Sequence, residues 1–242
     1  SGGGFALMTE GVGAAAMMEV PIVVVNVQRA GPSTGVPTKT EQGDLWQVLG
    51  ASQGDFPKLI LAPSNPLDAF QTIPEVFNLA DKYQLPAIIV SDLLISDETS
   101  TIDPKLLDMH PVIDRGELIT EAGEEAGNYE RYKFTDSGIS PRALPGIPGY
   151  EHVVATDEHM PDGVLISDEY THPHKRRAMM EKRQSKMDGL LAELAPPAIV
   201  GPADAEVTLV GWGSTAGVIQ EAIGQLAAAG VVANHLHFKW LV

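Results

Sequence analysis

Short runs of β-branched and aliphatic residues alternate with amphipathic stretches over the first part of the chain. Residues 21–27 (PIVVVNV), 58–62 (KLILA) and 87–90 (AIIV) are almost continuously apolar, which is typical of parallel strands covered on both faces. Residues 5–18, before the first run, and 66–83, between the second and third, carry apolar side chains at helical spacing. The order predicts βαβ organisation and therefore an α/β fold with a parallel sheet.

This regular pattern is lost from about residue 97 to 150, where Asp, Glu, Gly and Pro surround brief apolar stretches. A segment this long without periodicity is typically functional or an arm at an interface. Residues 172–194 mix basic, acidic and apolar side chains and predict a solvated amphipathic helix. A Pro-rich stretch at 196–202 predicts a stiff linker, and 207–229 predicts a new strand–turn–helix unit.

We therefore predict a first α/β domain over residues 1–195 that includes the arm, a linker at 196–204, and the start of a second α/β domain at 205–242. Residues 1–4 resemble the inside of a loop, and 237–242 stop within an apolar run. Both ends are expected to be internal positions of a longer protein.

Charge and composition narrow the range of functions. The 16 Lys and Arg against 32 Asp and Glu give a formal charge of -16, which repels nucleic acids and anionic membranes, so neither is expected as a partner. No apolar run reaches the roughly 18 to 20 residues that span a bilayer, and a cytoplasmic protein is expected. The chain has no Cys, so it offers no thiolate to an iron–sulfur cluster.

The segment 28–35 (QRAGPSTG) follows the first predicted strand, at the edge of a parallel sheet where ligands bind. Arg29 offers a planar, permanently charged donor fork that suits a carboxylate. Glycines that allow close backbone approach and hydroxyl donors complete the segment: Gly31, Ser33, Thr34 and Gly35. The alternative is a Gly/Pro turn whose Arg pairs with a nearby acid, and composition does not decide between them.

Three other motifs are interpreted as structural. Residues 211–217 (GWGSTAG) miss the dinucleotide fingerprint by one position and favour a tight strand-to-helix turn without ligand. The HxH pairs at 172/174 and 235/237 lack a third ligand, so no metal site is predicted, and His237 is expected in the core. Asp44 is expected to cap a helix.

The run 26–45 (NVQRAGPSTGVPTKTEQGDL) resembles a segment in alpha subunits of 2-oxoacid:ferredoxin oxidoreductases. Within that family, its sequence is most similar to that of the 2-oxoglutarate enzymes. Three more segments resemble the same family in the same order: SGGGFALMTEGVG is similar to its SGPGFSLMTEALG, RYKFTDSGISPRALPG to its long arm, and VTLVGWGSTAGVIQEA to the start of its second domain. The resemblance covers nearly the whole chain.

This resemblance implies a pyrimidine-type thiamine-diphosphate-binding domain followed by the start of a transketolase C-terminal-like domain. It implies that Arg29 binds the 2-oxoacid carboxylate. Residues expected to shape that pocket are Gly31, Pro32, Ser33, Thr34, Gly35 and Lys39. Residues expected on the cofactor side are Ser1, Gly2, Gly3 and Gly4, where the family's Gly-Pro-Gly has become three glycines.

The implied reaction is oxidative decarboxylation of a 2-oxoacid to an acyl-CoA, with coenzyme A as co-substrate and ferredoxin as electron acceptor. Thiamine diphosphate, Mg²⁺ and an iron–sulfur cluster would be held mainly by a partner beta subunit. The family's YPITP-like stretch and the Glu that contacts the aminopyrimidine ring would precede Ser1. No catalytic residue is therefore expected in this chain, which should be inactive alone.

Two alternatives stay open. A thiamine-dependent decarboxylase or carboligase would share the fold but would not reduce ferredoxin. A non-catalytic nucleotide-binding module, built on residues 211–217, would bind nucleotides without turning over a 2-oxoacid.

Overall fold

The structure is a computed structural model that describes residues 1–168 and 171–241. The elements of the first unit, in chain order, are α1 (Gly2–Phe5), α2 (Thr9–Met17), β1 (Ile22–Gln28), α3 (Leu45–Leu49), β2 (Leu59–Leu61), α4 (Pro66–Tyr83), β3 (Pro86–Asp92) and α5 (Leu93–Asp97). The remaining elements are β4 (Leu118–Ile119), β5 (Arg142–Ala143), α6 (Pro173–Glu193), β6 (Ile199–Val200), β7 (Val207–Trp212), α7 (Thr215–Ala228) and β8 (Ala233–Phe238).

The first sheet confirms the predicted α/β class. Its parallel strands lie in the order β1–β3–β2, with Ile22 opposite Pro86 and Gln28 opposite Asp92. The central strand β3 is buried throughout. The prediction that the first strand is covered on both faces is wrong, because β1 lies at the edge of this sheet and Val25 is 53% exposed.

Helices cover both faces of the sheet. On one face, α4 and α6 pack on Leu59 and Leu61, while on the other α1, α2 and α3 pack on Ile60. The alternation follows from the two-residue period of a strand. The predicted helix at 66–83 is confirmed as α4, since the Asn65 side chain accepts a hydrogen bond from the Asp68 amide at 2.9 Å and Gln84 ends the helix at φ 51°.

The segment between α5 and α6 is largely irregular, as predicted. Besides a 3-10 turn at Pro104–Leu106, its regular structure in the described residues is the two-residue parallel pair of β4 and β5. Tyr129, Ala143 and Tyr150 form a small core there, and the Tyr129 hydroxyl donates to the Pro141 carbonyl at 2.9 Å. The arm is thus ordered by its own side chains.

The prediction of a solvated helix at 172–194 is wrong for one face of α6. Lys182 and Lys186 are buried and lie 2.8 and 2.5 Å from the carboxylate of Glu19, which is fully buried. Arg131 of the arm also reaches this point and donates to the Glu19 carbonyl at 2.7 Å. A carboxylate distant in sequence therefore turns this charged face inward.

Strands β6, β7 and β8 with helix α7 form a second unit, which packs against the first sheet. Strands β7 and β8 are parallel, and β6, which falls within the predicted linker, pairs antiparallel with β8. After β8 the chain returns to β2, where the Ala62 amide donates to the Lys239 carbonyl at 2.9 Å and the Leu241 amide to the Ile60 carbonyl at 2.8 Å. None of the helices in the described part of the chain has the length and apolarity needed to cross a membrane.

We expect Glu19→Gln to lower the free energy of unfolding by about 3–5 kcal/mol, because two lysines are left buried without their counter-charge. Urea denaturation followed by circular dichroism measures the change. The control is Glu125→Gln, which removes an ion pair with Lys133 that is almost half exposed and should change stability little, because solvent screens it. Equal effects of the two substitutions would contradict this role of Glu19.

The same carboxylate predicts a pH dependence of stability. Burial raises the pKa of Glu19, but Lys186 and Lys182 outweigh it and lower the pKa from 4.5 to about 2. Its stabilising contribution, about 3 kcal/mol, is present above pH 4.5 and is lost as the pH falls toward 2. Between pH 2 and 5, the free energy of unfolding should therefore rise more steeply with pH in the wild type than in Glu19→Gln. Equal slopes in the two proteins would refute the assignment.

Candidate functional site

An open cavity of about 610 Å³ lies at the carboxyl end of β1. Of the residues predicted to bind substrate or cofactor, six line it: Gly2, Gly3, Arg29, Gly31, Pro32 and Ser33. The other five are not among its lining residues: Ser1, Gly4, Thr34, Gly35 and Lys39. The structure thus brings together the first part of the 28–35 loop and the Gly-rich N-terminal segment.

Arg29 is the cationic side chain of this cavity. Its Nε is buried and has no hydrogen-bond partner within the described residues. None of the salt bridges found there includes it. Among the described residues, Arg29 therefore does not pair with a nearby acid, as the alternative interpretation of this turn required. The guanidinium retains its capacity to bind an anion.

The loop after Arg29 is closed by its own backbone. Ala30 and Val36 form an antiparallel bridge, with the Val36 amide donating to the Ala30 carbonyl at 3.0 Å. Gly35 makes this closure possible, because its φ is 58° and a Cβ there would collide with the Ala30 carbonyl oxygen. The close approach that Gly35 permits is to its own chain, whereas the sequence suggested an approach to a ligand.

Polar side chains at the ends of the strands fix the position of Asp44, which also lines the cavity. Asp44 accepts a hydrogen bond from Asn26 Nδ2 at 3.0 Å, and its amide donates to Gln28 Oε1 at 3.0 Å. Gln28 in turn donates to the Ser91 carbonyl at 3.3 Å. Asp44 occupies the N-cap position of α3, as expected, but its side chain makes no capping bond because Asn26 engages it.

Asn26 and Gln28 were not predicted as site residues. Both are buried, at 1% and 0% exposure, within a strand that is otherwise apolar. Buried amide side chains need hydrogen-bond partners, so a polar residue in such a run was the signal that could have identified them.

The N-terminal glycines are helical and do not form the loop expected for residues 1–4, since they begin α1. The Gly2 carbonyl accepts a hydrogen bond from Gln47 Nε2 at 3.0 Å. A Cβ at position 2 would lie 2.5 Å from Asp44 Oδ1 and 2.8 Å from Gln47 Oε1. The absence of a side chain at this position lets α1 pack directly against the wall of the cavity.

The histidine pairs do not form a metal centre. Within residues 1–168 and 171–241 no group of three or more His, Cys, Asp or Glu is placed to hold an ion. The rings of His235 and His237 are 5.1 Å apart and edge-on, and His235 is buried whereas His237 is only half-buried. Desolvation lowers the pKa of both, which favours the neutral form that packs in a core.

Comparisons with known proteins identify relatives of this chain. A family model described as pyruvate flavodoxin/ferredoxin oxidoreductase, thiamine diphosphate-binding, matches residues 1–181. The chain is 37% identical over 225 residues to 2-oxoacid:ferredoxin oxidoreductase 1, subunit alpha, of Sulfurisphaera tokodaii, with 91% of this chain and 34% of that protein covered. It is 36% identical over 242 residues to 2-oxoglutarate oxidoreductase subunit KorA of Mycobacterium tuberculosis, with 100% and 36% covered.

A solved structure is similar as well. It is described as 2-oxoglutarate:ferredoxin oxidoreductase from Magnetococcus marinus with 2-oxoglutarate, coenzyme A and succinyl-CoA bound. The TM-score is 0.83 at 34% identity, over 98% of this chain and 40% of that one. The chain spans about a third of the length of the two relatives named above.

We expect Gly35→Ala to open the loop, because the added Cβ collides with Ala30 and the residue is held at positive φ. The strain is on the order of 1–3 kcal/mol. Hydrogen exchange at the Val36 amide, which is bonded to Ala30, should accelerate. The matched control is Gly31→Ala, where a Cβ would meet nothing within 4 Å, and comparable acceleration in both variants would contradict the explanation.

Proposed function

Since the chain belongs to the pyruvate flavodoxin/ferredoxin oxidoreductase family of thiamine-diphosphate-binding domains, we propose that it is part of the alpha subunit of a 2-oxoacid:ferredoxin oxidoreductase. The observation that carries the proposal is the Arg29 guanidinium, which lies in an open cavity without a protein partner among the described residues. The substrate that we propose is 2-oxoglutarate. The names of the Mycobacterium tuberculosis and Magnetococcus marinus relatives support that choice over other 2-oxoacids.

The role of Arg29 is to bind and orient the carboxylate beside the ketone. A guanidinium donates two parallel hydrogen bonds to a carboxylate, so it fixes both the position and the plane of the substrate. Such positioning lowers the entropic part of the barrier to attack on the keto carbon. Because a cation that stabilises the bound carboxylate also opposes its loss, Arg29 contributes mainly to binding and orientation.

The residues of the cavity fit the uncharged part of thiamine diphosphate and the substrate better than they fit the diphosphate. Gly2 and Gly3 have no side chains to cover their backbone beside Ser33. The single positive charge of Arg29 balances the charge of one carboxylate. Glu41 and Asp44 line the same cavity and would repel a diphosphate. When bound, thiamine supplies the electron sink for decarboxylation.

We therefore propose that a beta subunit holds the diphosphate, Mg²⁺ and the iron–sulfur cluster. The chain has no Cys and so supplies no thiolate to a cluster. The surface beside the cavity suits a protein partner, because Leu7 is 88% exposed, Trp46 84% and Val36 52%. Large exposed apolar side chains of this kind are enriched at protein interfaces.

The proposed co-substrate is coenzyme A and the proposed electron acceptor is ferredoxin. The names of two relatives, one a ferredoxin oxidoreductase subunit and one an enzyme with coenzyme A bound, support both assignments. A cytoplasmic location is part of the same proposal, since it is where such an enzyme would meet its carboxylic acid substrate and its electron carrier.

In the full-length alpha subunit assembled with its partner, Arg29→Ala should raise the KM for 2-oxoglutarate by on the order of hundredfold, through loss of a bidentate charged contact. Arg29→Lys should restore only part of it, because an ammonium lacks the planar fork. Steady-state reduction of ferredoxin or a viologen dye measures both. Arg115→Ala is the control: this arginine pairs with Asp81, is almost half exposed and does not line the cavity. An unchanged KM in Arg29→Ala would refute the assignment.

A further inference from the structure

The turn of the 211–217 motif lies against the candidate site. Gln42, which is flanked by the lining residues Glu41 and Gly43, donates from Nε2 to the Trp212 carbonyl at 2.9 Å. The contact is close, because Gly213 has a φ of 60° and a Cβ there would lie 3.0 Å from Gln42 Nε2. The glycine that resembles part of a dinucleotide fingerprint thus lets this turn approach Gln42, which lies between two residues that line the cavity.

A second bond ties the same turn to the end of β3. The Ser214 hydroxyl donates to Asp92 Oδ2, and the other oxygen of Asp92 accepts from the Ile95 amide at 3.3 Å. Ser214 is 7% exposed and Asp92 1% exposed, so the bond is shielded from water. Asp92 lies opposite Gln28 in the sheet, and Gln28 holds the Asp44 amide.

Apolar packing also joins the turn to the helices beside the cavity. Trp212 is half-buried against the core cluster that contains Phe5 of α1 and Val48 of α3. These two helices flank the cavity, since Gly2 and Gly3 begin α1 and Asp44 precedes α3. The turn therefore contacts the wall through one hydrogen bond, the strand ends through another, and the supporting helices through an indole ring.

We propose that Gln42 and Ser214 are positioning residues, through which the second unit holds the Glu41–Asp44 wall at a fixed distance from Arg29. Neither side chain needs to touch substrate. Because Gln42 lies between two lining residues, loss of its bond allows the wall to shift relative to the guanidinium. Displacements of about 1 Å in a binding site change its efficiency by on the order of a hundredfold. The expected change in KM rests on the proposed function, whereas the expected shift of the Glu41–Asp44 segment does not.

The test uses the full-length alpha subunit assembled with its partner. The variants are Gln42→Leu, which keeps the side-chain size but removes the donor, and Ser214→Ala, with Ser214→Thr to restore the hydroxyl. The matched control is Asn234→Ala, which removes a bond to the Pro202 carbonyl inside the second unit and none to the first. Circular dichroism establishes that each variant is folded.

Two readouts decide the proposal. The KM for 2-oxoglutarate should rise about tenfold in Gln42→Leu and Ser214→Ala with a smaller change in kcat, recover in Ser214→Thr, and stay unchanged in Asn234→Ala. Hydrogen exchange at the Asp44 amide should accelerate in the first two variants only. Unchanged exchange and KM in both of them would overturn the proposal, as would equal effects in the control.

The failure of the proposed function would look different. If the assembled wild-type enzyme does not turn over 2-oxoacids, the kinetic readout is lost for every variant, and the proposed function fails. The exchange at Asp44 still decides whether the turn positions the wall. If Ser214→Ala does not fold, Gln42→Leu alone carries both readouts, since its side chain is only half-buried.

Discussion

The arrangement of this protein depends on one buried carboxylate. Glu19 is fully buried between α2 and β1, and it draws in Lys182 and Lys186 from a helix that begins more than 150 residues later. Burial lowers the pKa of Lys186 to about 8, which reflects how costly these cations are away from water. Each charge is tolerated only because the others are in place, so the helix, the arm residue Arg131 and the start of the sheet have a single compatible arrangement.

The position of Glu19 connects this charge cluster to the candidate site. It precedes β1 by three residues, whereas Arg29 follows the carboxyl end of the same strand. The cluster lies at the amino end of β1, and so the carboxyl end remains accessible for the 28–35 loop and for the turn that follows β7. One end of the sheet is thus stabilised by buried ion pairs, and at the other the polar side chains bond one another while Arg29 has no partner among the described residues.

Local signals explain what the sequence predicted correctly. The bounds of α4 follow from a capping Asn, a Pro at its first position and a left-handed residue at its end, all of which act within one turn. The loop after β1 was recognisable because Arg29 directly follows an apolar strand. The burial of α6 was not predictable, because Lys182 pairs with a carboxylate 163 residues away. The edge position of β1 and the contact of Gln42 with Trp212 depend on the same kind of long-range pairing.

That Arg29 has no ion-pair partner among residues 1–168 and 171–241 requires its own explanation in a chain of charge -16. The partly buried acid of its cavity, Asp44, is already engaged by Asn26, while the Asp44 amide is held by Gln28. The Asn26 amide satisfies one carboxylate oxygen without neutralising its charge, and the bond from the Asp44 backbone amide to Gln28 fixes the position of the residue, so Asp44 is held by neutral groups and forms no ion pair with the guanidinium. The acidic surface repels an anionic substrate only within about a Debye length, roughly 8 Å at physiological salt. For the proposed substrate, direct contact with Arg29 would act over a shorter distance than this repulsion, so binding would depend on Glu41 and Asp44 being held away from the guanidinium.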